Sequence, residues 1–153
     1  MATITVSADL LSPPDRIWPQ LLNFGRYPEW LVVHESFAPP PPVQPAPGDT
    51  FVQRGTLMGM TGELKWTFEE VVATRRILIT ADTPVNARLR VTFLLESHRS
   101  GTRMTCVYEM IGLRVAGLLV RAATREARKN TLMSQTRLDA LAGDPASLLE
   151  DAG

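Results

Sequence analysis

Three residues whose side chains could carry out acid–base or carbonyl chemistry lie far apart in the chain: His34, Arg54 and Tyr108. Histidine exchanges protons near neutral pH, a phenol can donate a proton, and a guanidinium can polarise a carbonyl oxygen. Together they could act as base, carbonyl-polarising group and acid on a carbonyl substrate without a cofactor. A histidine at the surface or at the entrance of a site is the alternative for His34, because no ordered Ser-His-Asp spacing accompanies it.

The other residues with reactive side chains exclude more chemistry than they support. Glu69 and Glu70 are adjacent, so in a strand they point to opposite faces and cannot pair as acid and base. Cys106 has no cationic neighbour on its face that would lower its pKa, so we expect it to pack rather than react. No His, Cys or carboxylate cluster has metal-ligand spacing, and the glycines of residues 55–62 lack the Lys-Ser/Thr of a phosphate loop. The sequence therefore predicts neither a metal nor a cofactor.

The longest predicted element is a helix from residue 113 to about residue 141, because apolar residues recur there at helical spacing. Its apolar stripe is small at the centre, where Ala123, Ala127 and Ser134 stand beside Asn130. Such a helix can cover a cavity without filling it.

Period-two alternation of apolar and polar residues predicts most of the remaining chain as strands. The predicted strands cover residues 3–10, 50–57, 64–72, 76–82, 87–97 and 102–111, and two short helices follow the first of them. The proline-rich residues 37–48 are predicted to form a stiff surface connector. This order predicts an α+β fold in which a curved antiparallel sheet wraps around the long C-terminal helix. Residues 1–143 would form one domain, and residues 144–153 a flexible tail.

Strand parity and the helix stripe together predict which side chains face the space between sheet and helix. Aromatic and methionine side chains there would suit a flat or aliphatic molecule with one or two polar groups. A solid core without a guest is the alternative. The predicted ligand contacts are Trp30, Leu64, Trp66, Phe68, Leu89, Val91, Phe93, Met104, Tyr108, Ala123, Ala127, Asn130 and Ser134.

The composition is that of an ordinary globular protein of 153 residues, 44% apolar and 21% charged, sized for one domain. Sixteen basic residues balance sixteen acidic ones, so no overall field favours nucleic acid. Residues 1–10 lack the charged start and apolar run of a signal peptide, and no transmembrane segment is predicted. Because the single cysteine also fits a reducing compartment, we expect a cytoplasmic protein.

One side of the long helix is basic and also carries two leucines, Leu118 and Leu132. Its cations are Arg114, Arg121, Arg125, Arg128 and Lys129. Leucines exposed among arginines are typical of a surface that binds an acidic protein or an anionic membrane. A solvated face with extended arginines is the alternative. The sequence also leaves a homodimer open.

Three local strings carry a resemblance to a known superfamily: SPPDRIW at residues 12–18, FGRYPEW at 24–30 and GELKWTF at 62–68. With the element order, they resemble the START-like (SRPBCC, helix-grip) superfamily, and most closely its polyketide cyclase/dehydrase branch in actinobacteria. The resemblance implies six to seven strands around a long helix and an elongated internal cavity. It implies three alternative functions: binding of a lipid or polyketide-like molecule, polyketide aromatase/cyclase or dehydratase activity, and the interaction role of a toxin in a toxin-antitoxin pair.

Overall fold

A single antiparallel sheet of seven strands organises the computed structural model, which describes residues 2–39, 41–57, 60–83, 87–112 and 117–144. The spatial order of the strands is β1-β7-β6-β5-β4-β3-β2, so β1 and β2 are the two edges. The strands are β1 Ala2–Leu10, β2 His34–Phe37, β3 Thr50–Leu57, β4 Met60–Val72, β5 Arg76–Asp82, β6 Arg88–His98 and β7 Gly101–Ile111.

Three helices accompany the sheet in the described part of the chain: α1 Pro14–Leu22, α2 Tyr27–Trp30 and α3 Gly117–Gly143. A short 3-10 turn, Phe24–Arg26, joins the first two. The predicted α+β fold is thus confirmed: two short helices follow the first strand, and a long C-terminal helix lies against the sheet. The predicted start of the long helix at residues 113–116 and residues 145–153 of the predicted tail 144–153 lie outside the described residues.

Two local predictions differ from the structure. The edge strand β2 was not predicted, because its sequence His-Glu-Ser-Phe gives too short an alternation, and a register shift interrupts its pairing with β3. A serine followed by two prolines, as at Ser12, is typical of a capped helix start, but Pro13 occupies the cap position of α1 and forms no side-chain cap bond. The Ser12 carbonyl instead accepts a hydrogen bond of 2.7 Å from the Thr102 hydroxyl, which ties the start of α1 to β7.

Helix α3 is fixed over the β1–β7 side of the sheet by polar side chains that reach the strand backbones. The buried amide Nε2 of Gln135 donates to the carbonyl oxygens of Val6 (3.3 Å) and Met104 (3.1 Å). Near the end of the helix, the Asp139 carboxylate accepts bonds from the backbone N–H groups of Leu11 (2.9 Å) and Ser12 (3.0 Å). These contacts hold α3 along edge strand β1.

The segment between α2 and β2 is held between α3 and β3. On one side, Ser134 Oγ accepts a 3.0 Å bond from the backbone N–H of Val32. On the other, the carbonyl of Val33 accepts a 2.9 Å bond from the backbone N–H of Thr56. The segment approaches β3 so closely that a Cβ built on Gly55 would lie 2.4 Å from the Val33 oxygen. Gly62, the cross-strand partner of Gly55, has open space where its Cβ would be.

The two paired glycines therefore predict opposite responses to alanine. Gly55→Ala forces a methyl group into the Val33 carbonyl and should lower the free energy of unfolding by about 1–3 kcal/mol. Gly62→Ala adds the same methyl group to open space and should leave stability unchanged or raise it by up to about 1 kcal/mol. Urea unfolding midpoints of the two variants check this. Equal midpoints would show that the segment does not press on β3.

Candidate functional site

A cavity of about 420 Å³ lies between the inner face of the sheet and the segment that contains α2. Its floor is formed by β3 to β7, and its opposite wall by the 3-10 turn, α2 and residues 31–33. The lining residues are Phe24, Tyr27, Leu31, Val33, Phe51, Gln53, Gly55, Thr56, Thr61, Gly62, Glu63, Leu64, Trp66, Phe68, Ile77, Ile79, Thr83, Leu89, Val91, Phe93 and Tyr108.

The apolar floor follows from strand register. Side chains at alternate positions point to the same face, and directly paired residues of neighbouring strands share that face. Val91 is paired with Ile79 on one side and with Tyr108 on the other. Trp66 is paired with Phe51, and their rings stack with centroids 6.5 Å apart. Each of these strands thus contributes its large apolar side chains to one continuous surface.

Gln53 supplies a polar group to the cavity wall next to β2. Its amide Nε2 lies 2.8 Å from His34 Nδ1. Because the amide N–H donates, Nδ1 is the acceptor and the neutral ring carries its proton on Nε2. Burial lowers the pKa of His34 below its ordinary value of 6.5, which favours this neutral form. The imidazole itself packs against Phe37, with ring centroids 4.3 Å apart.

Tyr108 supplies a hydroxyl on the β7 side. It forms a 2.9 Å hydrogen bond with the hydroxyl of Thr131 on α3. Burial raises the pKa of the Tyr108 phenol, so it stays protonated at neutral pH. This bond links the wall of the cavity to the helix.

The structure places seven of the predicted ligand contacts on the cavity wall. They are Leu64, Trp66, Phe68, Leu89, Val91, Phe93 and Tyr108. All seven lie on β4, β6 or β7, where the alternation in the sequence defined the inner face.

Five of the predicted contacts lie elsewhere, and the side chain of Ala123 is outside the described residues. Trp30 is buried against Tyr27, with ring centroids 4.8 Å apart. Met104 lies beneath Gln135, and Ala127 packs with Ile4 and Val6.

The last two, Asn130 and Ser134, are bonded within α3, where the Ser134 hydroxyl donates a 2.8 Å bond to the Asn130 carbonyl. Ala127, Asn130 and Ser134 of α3 were predicted as ligand contacts but do not line the cavity, and the reason is the same for all three. The described part of α3 lies over the β1–β7 side of the sheet and not over β3 to β6.

The three candidate catalytic residues do not converge on the cavity, since only Tyr108 lines it. Arg54 points to the outer face, where its guanidinium forms a 3.0 Å ion pair with Glu35. His34 does not line the cavity, but its imidazole is hydrogen-bonded to Gln53, which does. The proposed acid, base and carbonyl-polarising groups are therefore not assembled at one point.

Several wall residues were not predicted, among them Phe51, Gln53 and Gly62. The sequence left the register of β3 open, because Phe51 with Leu57 gave one inner face and Val52 with Met58 the other. The stacked pair of Phe51 and Trp66 resolves it. Gln135 was also missed, although its spacing of four residues from Thr131 and three from Leu138 places it on the buried stripe.

Other chemistry is limited within the described ranges. Burial raises the pKa of the Cys106 thiol to about 12, consistent with a packing role. No group of three or more His, Cys, Asp or Glu side chains there could hold a metal ion. No helix in the same ranges is long and apolar enough to cross a membrane.

The lowered pKa of His34 predicts a pH-dependent stability. Below pH 6.5 the unfolded chain gains a proton on His34 that the folded chain does not accept until its lower pKa is reached. Stability is thus fully present above pH 6.5 and falls as the pH drops below it. His34→Gln should flatten this part of the curve of unfolding free energy against pH, measured by urea denaturation. His98→Gln, at the end of β6 and far from His34 in the sheet, is the control. An unchanged slope in His34→Gln would contradict the buried neutral imidazole.

Comparisons with known proteins agree with this architecture. A curated relative, the uncharacterized protein Rv1546 of Mycobacterium tuberculosis, is 25% identical over 128 residues, which are 84% of this chain and 90% of that protein. The solved structure of TTHA0849 from Thermus thermophilus has a TM-score of 0.71 at 15% identity, covering 94% of this chain and 100% of that one. DynU16, a protein in the dynemicin biosynthetic locus, has a TM-score of 0.66 at 16% identity, covering 90% of this chain and 46% of that one.

At these identities the two solved structures show a shared fold and no more. The family is shown by its sequence model, described as polyketide cyclase / dehydrase and lipid transport, which matches residues 1–143. The chain therefore belongs to the polyketide cyclase/dehydrase and lipid transport family of helix-grip proteins.

Proposed function

We propose that the chain binds a hydrophobic small molecule, lipid- or polyketide-like, in the cavity between β3–β7 and the α2 segment. The observation that carries the proposal is a space of about 420 Å³ whose walls are mainly aromatic and aliphatic. This volume falls in the range of pockets that hold small molecules. A bound guest would shield the apolar wall from water, and each Å² of apolar surface buried in this way contributes about 25 cal/mol of favourable free energy.

The shape and polar groups of the cavity suggest what such a guest looks like. The stacked rings of Phe51 and Trp66, tilted by only 21°, offer a flat apolar surface to a planar or extended molecule. Gln53 and Tyr108 provide hydrogen-bonding groups on different strands. We therefore infer a largely apolar guest with one or two polar substituents.

An aromatase/cyclase or dehydratase is the second candidate, and the observation that favours it is the Tyr108 hydroxyl on the cavity wall. Because this phenol is protonated at neutral pH, it could donate a hydrogen bond or a proton to a carbonyl of a bound polyketide. The toxin role implied by resemblance stays a prediction.

Gly62 offers a direct way to fill the cavity. It lines the wall, and open space lies where its side chain would begin. Gly62→Leu should therefore block the guest without straining the fold. Lys65→Leu, an exposed position three residues along the same strand, is the matched control that adds a leucine outside.

Thermal unfolding with the naphthalene dye ANS, a long-chain fatty acid and a set of planar polyketide-like aromatics checks the proposal. A ligand present at about 100 times its Kd stabilises by about 2.7 kcal/mol, which raises Tm by roughly 5–11 °C at this size. We expect this rise for the natural chain and for Lys65→Leu, and its loss in Gly62→Leu. No rise with any compound would contradict the function, and an equal rise in Gly62→Leu would contradict the site.

Tyr108→Phe separates the two candidate functions. Removal of the hydroxyl leaves Thr131 without its partner and should cost about 1 kcal/mol of stability. If the chain is a binding protein, purely apolar ligands should bind Tyr108→Phe as they bind the natural chain, as measured by titration of tryptophan fluorescence. If it is an enzyme, product formation from a poly-β-keto substrate should fall in this variant while binding persists. Equal turnover in both proteins would exclude Tyr108 from the chemistry.

A further inference from the structure

Two sets of surface cations in this protein differ in their partners, and further exposed cations such as Lys65, Arg75 and Arg137 belong to neither set. Arginines on the outer face of the sheet are neutralised by acidic side chains at 3.0–3.1 Å. These ion pairs are Arg54–Glu35, Arg76–Glu70, Arg88–Asp82, Arg90–Glu109 and Arg103–Asp9. Four exposed cations of α3, in contrast, form no ion pair within the described ranges of the chain: Arg121, Arg125, Arg128 and Lys129.

These four residues form one surface, here called the basic face of α3. At about 100° per residue they lie within an arc of about 100° around the helix. Leu132 projects from the middle of the same arc and is 41% exposed. Glu126, the nearest acid on the helix, lies outside the arc. Asp139 lies within the arc two turns beyond Leu132, where its carboxylate accepts the backbone N–H bonds of Leu11 and Ser12. The basic face thus combines unneutralised positive charge with an exposed apolar side chain.

The basic face lies beside edge strand β1 and is not used to hold the fold together. Its one described hydrogen bond joins Arg128 Nη1 to the carbonyl of Thr5 at 3.4 Å, which is long for such a bond. The opposite side of the helix carries residues that pack on the sheet or in the core, such as Ala127 and Leu138, whereas Gln135 lies at the edge of the arc next to Arg128. The cations can therefore be changed without removing core contacts.

We propose that the basic face of α3 docks on an anionic membrane surface. Lys and Arg near such a surface attract its acidic headgroups, and each contributes about a fivefold gain in binding. Leu132, with Met133 (38% exposed) beside the arc, can enter the boundary between headgroups and acyl chains. This apolar centre favours a bilayer over an acidic protein as the occupant. Since the chain as a whole is neutral, the attraction is local and would orient the molecule with α3 toward the lipid.

Co-sedimentation of the full chain with vesicles tests the proposal. Vesicles of phosphatidylcholine alone should bind little, and vesicles that also contain phosphatidylglycerol should bind the chain in a salt-sensitive manner. Arg121→Glu combined with Arg125→Glu should weaken this binding by at least about 25-fold. Leu132→Ser should weaken binding and leave its salt dependence unchanged.

Two controls keep the outcome specific. Lys65→Glu combined with Arg75→Glu changes the net charge equally at exposed positions away from α3 and should retain binding. Gly62→Leu, which fills the cavity, should also retain it, so a failure of ligand binding is distinguishable from a failure of docking. Circular dichroism confirms that each variant is folded. No binding to phosphatidylglycerol vesicles, or equal losses in the two double variants, would overturn the proposal, and the first result would make an acidic protein the partner to seek.

Discussion

The position of the long helix depends on one buried amide. Gln135 donates to the carbonyls of Val6 and Met104, on two paired strands, and its side chain is almost wholly removed from water. Its Oε1 is buried without a hydrogen-bond partner among the described residues. A shift of the helix would leave the buried N–H groups unbonded as well, so the helix has little freedom to slide or rotate over the sheet. Ala127 packs on β1, and the Thr131 hydroxyl meets Tyr108 one turn later. These contacts hold the described part of α3 over one side of the sheet.

Because α3 lies over the β1–β7 side of the sheet, a different element covers the inner face of β3 to β6. The short 3-10 turn and α2 supply Phe24 and Tyr27, and residues 31–33 complete the wall. These elements are too short to fill the concave face, so a cavity remains where aromatic rings from the sheet would otherwise meet a helix. Gly55 permits the close approach of the covering segment, while Gly62 adds no side chain to the space. The same arrangement directs the polar contacts of α3 inward, and the cations of its basic face have no acidic partner among the residues that the structure describes.

The fold was predictable because its signals are periodic and long. Alternation over eight or more residues defined β6 and β7 and the faces of their side chains, so Leu89, Val91 and Phe93 were placed on the inner wall from the sequence. The offset of α3 was not predictable, because the small residues Ala127 and Ser134 fit a helix over a cavity as well as one pressed on β1. The inner face of β3 was undecided for a related reason: Gln53 and Gly55 are not apolar, so periodicity could not identify it. Cross-strand pairing, which sequence alone does not give, decides such positions.

The central claim is that the space beside Phe51, Trp66 and Leu89 is a real apolar cavity able to admit a guest. A crystal structure determined under xenon pressure tests this most directly, because xenon enters apolar cavities without needing a specific ligand. We expect xenon to bind between the β3–β6 wall and the α2 segment without any movement of the surrounding side chains. A structure with no xenon there, in which the rings of Phe51 and Trp66 close onto Leu31 and Val33, would contradict it.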